Sequence, residues 1–354
     1  MIRVMTFNIR GSFHRQDGTN AWANRRALNL QTIEKCNADI IGFQEVQSGN
    51  LEAYQECDYL RRQWDGILGH NCKRSMNWSF LHQDLYDRCW KQSKSVPSAL
   101  ANGVKYFSSN VGSSSQQDEY SPIYWKRDRF DRIDHGSFYL SPTPDVESIG
   151  WNSKLLRAAT WVRLREKETG ANVLVLNTHF PHENGDGEIT RNECAMVILQ
   201  QLAAISTSTT CASTTIVMGD FNCHASPKTP AYATFCANGY QDTCSYAHHH
   251  HNRHHHHASS TTTTMESGGG RMHTFHNFQG DNYCRANSGR IDWILYQNHN
   301  DDTANGYGSS NTKLRYALVP AGPARVMRDA EPPLYPSDHY PVVVDFSVRT
   351  VSKG

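Results

Sequence analysis

The sequence of 354 residues has no apolar run approaching the roughly 18 residues that a membrane span needs, and no signal-peptide h-region ahead of its first strand pattern. A membrane-spanning role is excluded on that reading; whether the protein works in the cytoplasm or is secreted stays open. There is almost no charge imbalance. The 35 Lys and Arg against 34 Asp and Glu give a formal charge of +1, so any affinity for a polyanion must come from a local patch. Cysteine is sparse at ten residues, and none forms a CxxC pair with zinc-finger spacing. Cys57, Cys72 and Cys89 share one polar segment, compatible either with a disulfide in a secreted protein or with ordinary thiols. The chain also lacks a P-loop GxxxxGK[ST], a GxSxG nucleophile elbow and a repeat of fixed period. These absences argue against nucleotide switches, serine hydrolases, metalloproteases, solenoids and propellers.

What is present is a chain with 38% hydrophobic residues, enough to bury a sizeable core. Alternation predicts a strand at Ile2–Asn8, helical spacing predicts a helix at Trp22–Cys36, and Asp39–Phe43 is an apolar strand run. Further strand runs fall at Ser121–Trp125, Ala159–Leu164, Val173–Asn177, Thr215–Met218, Arg290–Tyr296 and Val342–Phe346, with a helix at Glu188–Ala204. Many strands with few helices between them favour packed sheets over a doubly wound parallel sheet.

Two segments break the pattern and read as insertions in a single domain spanning 1–350: one at about 50–118, polar and rich in Ser, Asn and Gln, and one at about 245–270. The second holds His248–His251 and His254–His257, which reads as a surface loop of biased composition, with transition-metal binding as the alternative. In the first, Arg61, Arg62, Lys73, Arg74, Lys91 and Lys94 are candidate basic contacts to nucleic acid, but acidic residues interspersed among them favour solvated surface. Trp64, Trp78 and Trp90 read as a small core for that insertion rather than as stacking platforms. The sequon Asn77-Trp-Ser79 carries little weight by itself.

Polar residues sit repeatedly at the ends of apolar runs, where a strand delivers a side chain to the rim of a sheet: Asn8, Glu45, His179, Asp220, Asn222, Asp292, Asp338 and His339. Taken singly, Asn and Asp there are common turn formers and a lone His is usually a satisfied ring. Together they form a set of carboxylates, imidazoles and amides suited to phosphoester hydrolysis on a hard cation. Mg²⁺ prefers oxygen ligands, and one or two carboxylates suffice to hold it; Mn²⁺ and Ca²⁺ accept the same donors. A further carboxylate orients or deprotonates water, a His stabilises charge or protonates the leaving oxygen, and amides donate to non-bridging oxygens.

Thr6-Phe7-Asn8-Ile9-Arg10, Gly42-Phe43-Gln44-Glu45-Val46, Asn177-Thr178-His179-Phe180, Gly219-Asp220-Phe221-Asn222, Gly289-Arg290-Ile291-Asp292-Trp293 and Ser337-Asp338-His339-Tyr340-Pro341 resemble, in order, the motifs of the endonuclease/exonuclease/phosphatase (DNase I-like) superfamily. The stretch Tyr120–Trp161, with Phe138–Pro144, most resembles a microbial branch of it. The resemblance implies a four-layered α/β sandwich of two packed, mainly antiparallel β-sheets flanked by helices. It implies Glu45 as the principal metal ligand, with Asn8 and Asp338 beside the metal. Asp220 would activate or align water, Asn222 and His179 would contact the scissile phosphate, and His339 paired with Asp292 would act from the other side. Glu119 would orient His179, and Arg157 would donate to phosphate unless it is a surface ion pair.

The reaction expected is hydrolysis of a phosphoester of nucleic acid, a nucleotide or a small molecule by a metal-activated water, in a monomer. A phosphodiesterase or nuclease is the first reading, a small-molecule phosphomonoesterase the alternative, and a non-catalytic binding scaffold the reading from another class.

Overall fold

The computed structural model describes residues 1–72, 118–151, 153–183, 187–206, 212–244, 272–283, 289–299 and 315–351. The His run, Trp78, Trp90, Cys89, the sequon and Lys73, Arg74, Lys91 and Lys94 lie outside them.

Strands β1 (Ile2–Asn8) and β2 (Ile40–Gln44) pair in parallel around helix α1 (Trp22–Cys36). β13 (Val342–Val351) joins β1 antiparallel, and β11 (Arg315–Pro320) and β12 (Arg325–Val326) extend that side. On the other side, β4 (Ile123–Lys126) pairs with β2, and β3 (Trp64–Ile67) pairs with β4. The second sheet repeats the plan: β7 (Asn172–His179) and β8 (Thr214–Asp220) are parallel around helix α4 (Gly187–Ser206). There β5 (Phe130–Tyr139) and β6 (Ala158–Glu166) flank one side, and β10 (Asp292–Asn298) and the short β9 (Gln241–Asp242) flank the other, all antiparallel. Helices α2 (Ser48–Glu56) and α3 (Asp58–Gln63) follow β2 in the chain, and α5 (Pro230–Ala237) follows β8.

The two-residue period of the strands explains why the sheets stack. Val4, Ile40, Val173, Val175, Ile216, Met218, Ile294, Val342 and Val344 point into the layer between the sheets. Their neighbours point outward: Met5, Ile41 and Phe43 meet α1 and α2, while Leu174, Leu176, Val217 and Leu295 meet α4 and α5. Helix α1 buries Trp22, Arg25, Leu28, Asn29, Thr32, Ile33 and Cys36, the three-four spacing of one helical face, and ends at Asn37 in the left-handed conformation. The result is helix, sheet, sheet, helix. This is the four-layered sandwich.

The sheets meet in close contact at Gly42 of β2 and Asn177 of β7. A Cβ on Gly42 would lie 2.7 Å from both Asn177 Oδ1 and Met218 Cε, so only glycine fits there. Polar side chains knit the same level: Gln44 Nε2 donates to Asn177 Oδ1 at 2.6 Å, and Asn177 Nδ2 donates to the Phe43 carbonyl at 2.7 Å. Buried amides with partners hold one geometry, and unsatisfied they would cost about 1–3 kcal/mol each.

One expected boundary moves. The segment from 48 to 67, assigned by composition to the insertion starting near 50, forms α2, α3 and β3 of the first sheet. Trp64 is buried there with Leu60, Leu68 and Tyr124, in the layer under the helices rather than in a separate small core. Its polar neighbours hide the run because β3 is an edge strand of four residues. Trp64 pairs with Lys126, which follows the partner of Ile40, so Arg61 and Arg62 sit at the end of the sheet away from Gln44. Both are bound to Asp58.

Candidate active site

The parallel pairs β1/β2 and β7/β8 end on the same side of the molecule, and the register places Asn8 beside Gln44 and His179 beside Asp220. Asp292 opens the antiparallel β10 directly opposite Asp220. Asp338 and His339 precede β13, whose Val342 pairs with Thr6. Six strands from two sheets thus deliver their polar ends to one place. Asn8 Nδ2 joins the sheets there, donating to Glu45 Oε1 at 3.1 Å and to Asp220 Oδ2 at 2.9 Å.

Sharp turns aim several of these side chains. Arg10, Glu45 and Asn222 have φ of 53°, 59° and 50°, the left-handed region that costs a non-glycine residue about 1–3 kcal/mol. The turn at Asn222 is held by its N–H on Asp220 Oδ1 at 2.9 Å and its side-chain amide on the Phe180 carbonyl at 2.9 Å. The turn at Arg10 is held by Arg10 N–H on Asn8 Oδ1 at 3.0 Å. Beneath it, the buried guanidinium of Arg25 donates to the carbonyls of Ile9, Arg10, Gly11, Asn20 and Pro336. Burial lowers Arg25 to about 10, with Asp338 and Asp17 opposing.

Two electrostatic groups line the floor. In the first, Glu45 receives Gly11 N–H at 3.3 Å and lies 3.6 Å from His14 Nε2, while Arg10 binds Asp17 and approaches Asp338 at 3.7 Å. Burial pushes Glu45 up, but the neighbouring His14 and His179 rings, the Arg10 guanidinium and the bond from Asn8 hold it well below the usual carboxylate value. Asp338 is raised, by burial first and then by repulsion from Glu45, against the pull of His339, Arg10 and Arg25.

In the second group, His339 Nδ1 lies 3.0 Å from Asp292 Oδ2, and its Nε2 lies 3.7 Å from Asp220 Oδ2. Burial alone would lower His339; the carboxylates of Asp292 and Asp220 raise it to about 10. Burial and the Asp292 charge raise Asp220 to about 7, opposed by His339, Asn8 and Asn222. His179 Nε2 lies 3.5 Å from Asp220 Oδ2, and burial followed by the Arg157 charge holds that ring well below the usual imidazole value.

Oxygen donors dominate, which suits a hard cation. Asp220, Asp292 and His339 bring ligand atoms within 4.8 Å of one another. That trio already carries its own cation in the protonated His339. Glu45 and Asp338, by contrast, repel each other beside the Asn8 amide, and a dication between them would relieve that repulsion. The carboxylates of Glu45 and Asp338 therefore offer oxygen ligands for a divalent metal, while Asn8 turns its Nδ2 to Glu45 and its Oδ1 to the Arg10 N–H.

The floor opens into a cleft of about 890 Å³ lined by Arg10, His14, Ile149, Lys154, Leu155, Leu156, His182, Phe275, Asn277 and Ile291, with Glu45, Glu119, Arg157, His179, Asp220, Asn222, Asp338 and His339. The structure brings together Asn8, Glu45, Glu119, Arg157, His179, Asp220, Asn222, Asp292, Asp338 and His339. One open alternative closes, and one detail differs from expectation. Arg157 is buried, not a surface ion pair, and its Nη1 donates to Glu119 Oε1 at 2.8 Å. It also stands between Glu119 and His179, whose direct separation is 3.9 Å, beyond a hydrogen bond.

Several contributors carry no expectation from sequence. Thr274 Oγ1 accepts the N–H groups of Ile291 and Asp292 at 3.1 and 3.2 Å, fixing the start of β10. Phe275 bridges to the backbone of His339 and packs its ring 5.0 Å away. His14 and Arg10 were findable, since both follow Asn8 closely.

The comparisons with known proteins agree with this architecture. The family model for the endonuclease/exonuclease/phosphatase family matches residues 5–339. A Bacteroides vulgatus endonuclease/exonuclease/phosphatase superposes with a TM-score of 0.64 at 22% identity, covering 98% of this chain and 99% of that one. A mannosyl-6-phosphatase of Bacteroides thetaiotaomicron gives a TM-score of 0.64 at 20% identity, covering 98% and 100%. The human Nocturnin catalytic domain with bound sulfate gives 0.59 at 19%, covering 98% and 93%. At these identities the likeness is one of fold. No curated protein matches by sequence. The chain belongs to the endonuclease/exonuclease/phosphatase family, whose members are phosphoesterases of the DNase I-like superfamily.

Proposed function

We propose that this protein is a divalent-metal-dependent phosphoesterase that acts, as a monomer, on small organic phosphates, with phosphomonoesters of the sugar or inositol type the first class to test. The observation that carries the reaction is the convergence of Glu45, Asp338, Asn8, Asp220, His179 and the His339–Asp292 pair at one cleft floor. All of them come from one chain.

Glu45 and Asp338 would hold the metal, Mg²⁺ in the first instance, beside Asn8. When bound, the ion supplies positive charge that draws the phosphate in and polarises its P–O bonds. Asp220, raised to about 7, orients the attacking water and accepts its proton near neutral pH. Asn222 and His179 donate to non-bridging oxygens. The protonated His339, kept cationic by Asp292, faces the charge that builds on the pentavalent phosphorus and can protonate the leaving oxygen.

The choice of a small substrate over nucleic acid departs from the first sequence reading. It is supported by the wall of the cleft, where Ile149, Leu155 and Leu156 stand with Lys154 and His182, a mixture suited to a compact ligand. Among the described residues, Arg61 and Arg62 lie at the far end of the first sheet and are bound to Asp58, which removes two candidate phosphate contacts. The mannosyl-6-phosphatase among the structural neighbours is consistent with the same choice.

The test is phosphate release from a panel of sugar phosphates, inositol phosphates and nucleoside monophosphates, set against bis(p-nitrophenyl) phosphate and plasmid nicking. Release from monoesters with intact plasmid supports the proposal. Efficient plasmid or diester cleavage without monoester turnover makes the enzyme a phosphodiesterase, and silence throughout favours a binding scaffold.

A further inference from the structure

Arg157 precedes β6, and its side chain is about 6% exposed. Its Nη1 donates to Glu119 Oε1 at 2.8 Å and to His179 Nδ1 at 3.3 Å. A guanidinium offers donors only and keeps its proton in any protein environment. The imidazole nitrogen facing it must therefore be the one without hydrogen. In a neutral ring the proton then sits on Nε2, which faces Asp220 Oδ2 at 3.5 Å across the cleft floor.

A carboxylate in contact with Nδ1 would have the opposite effect. It would draw the proton onto Nδ1, leaving Nε2 as an acceptor or favouring the doubly protonated ring. Glu119 Oε1 lies 3.9 Å from Nδ1, beyond a hydrogen bond, and the Arg157 guanidinium at 3.3 Å is the group in contact with that nitrogen. Glu119 in turn neutralises Arg157, so a fixed donor is obtained with no net charge added to the floor.

We infer that Arg157 is a positioning residue that locks His179 as the neutral Nε2–H tautomer, making His179 a hydrogen-bond donor to a non-bridging phosphate oxygen and not a proton acceptor. His179 keeps its Nε2–H throughout turnover. The identity of the acceptor rests on the phosphoesterase reading; the tautomer does not.

Nitrogen-15 NMR of histidine-labelled, metal-free protein tests the tautomer directly, with His179→Asn used to assign the signals. The expected result is an unprotonated Nδ1 and a protonated Nε2. A proton on Nδ1 overturns the inference. Among the described residues the buried Nε of Arg157 has no hydrogen-bond partner, so direct donation to the substrate is the competing role.

Kinetics on the full chain separate the two. Arg157→Met should move the proton to Nδ1 and lower kcat about 100-fold, the scale of losing one oriented donor, with KM within about 2-fold. Arg157→Lys, which still donates and still pairs with Glu119, should keep the tautomer and most of kcat. A raised KM with an unchanged tautomer in Arg157→Met would assign Arg157 to substrate binding instead. Failure of the phosphoesterase reading looks different: wild-type protein is silent with every metal and ester while the NMR result stands.

Discussion

The imidazole of His339 and the carboxylate of Asp292 form a buried pair, Nδ1 to Oδ2 at 3.0 Å, at the point where β10 starts and β13 is about to start. The pair holds His339 protonated, up to about 10. Asp292→Asn removes the charge that does this. In that variant the imidazolium should be lost as pH rises through the neutral range, so kcat should acquire a falling alkaline limb absent from the wild type. A fall of about 10²-fold near pH 8 is expected, the scale of one preorganised charge. A pH profile parallel to the wild type would show that Asp292 does not set the state of His339.

The same pair makes a stability prediction for metal-free protein. His339 has a folded-state pKa above its ordinary value of 6.5, so its contribution is fully present below about 6.5 and is lost as pH rises through about 10. Denaturant titrations in chelator should therefore show stability declining across that window. His339→Gln should flatten it.

His276 predicts the opposite slope. It is buried against Tyr340, with burial and then His339 and His273 lowering it to about 3. The unfolded chain takes up this proton at higher pH than the folded one does, so stability should fall as pH drops from about 6.5 towards 3. His276→Leu should remove that part of the acid sensitivity, measurable as a smaller change in unfolding free energy between pH 7 and pH 5.

Gly42 is the close point between the sheets. Gly42→Val would drive a side chain into Asn177 and Met218 and should destabilise the fold by about 1–3 kcal/mol, read as a lower midpoint in urea. Unchanged stability would mean that the sheets separate there at no cost.

Much of this arrangement is legible in the sequence, and the parts that are not have physical reasons. Asn8, Glu45, His179 and Asp220 each end an apolar run, so a strand pattern followed by a polar residue locates the rim without any three-dimensional information. β5 escapes because Asp131, Arg132, Asp134 and His135 interrupt its alternation on a half-exposed edge. Thr274, Phe275 and His276 escape because they follow a biased segment and join no named strand, with Phe275 forming an isolated bridge to His339 that has no periodicity to read. The position of Arg157 between Glu119 and His179 is a fact of side-chain packing, and residue order carries no trace of it.

The most direct test of the central claim is metal-dependent turnover of p-nitrophenyl phosphate and a sugar phosphate by wild-type protein and by Glu45→Ala, together with thermal unfolding of both with and without Mg²⁺ or Mn²⁺. Wild-type protein should turn over and be stabilised by metal, by about 2.7 kcal/mol at a hundredfold excess over Kd. Glu45→Ala should fold, lose turnover and lose most of the metal stabilisation. Turnover and metal stabilisation undiminished in Glu45→Ala would contradict the claim.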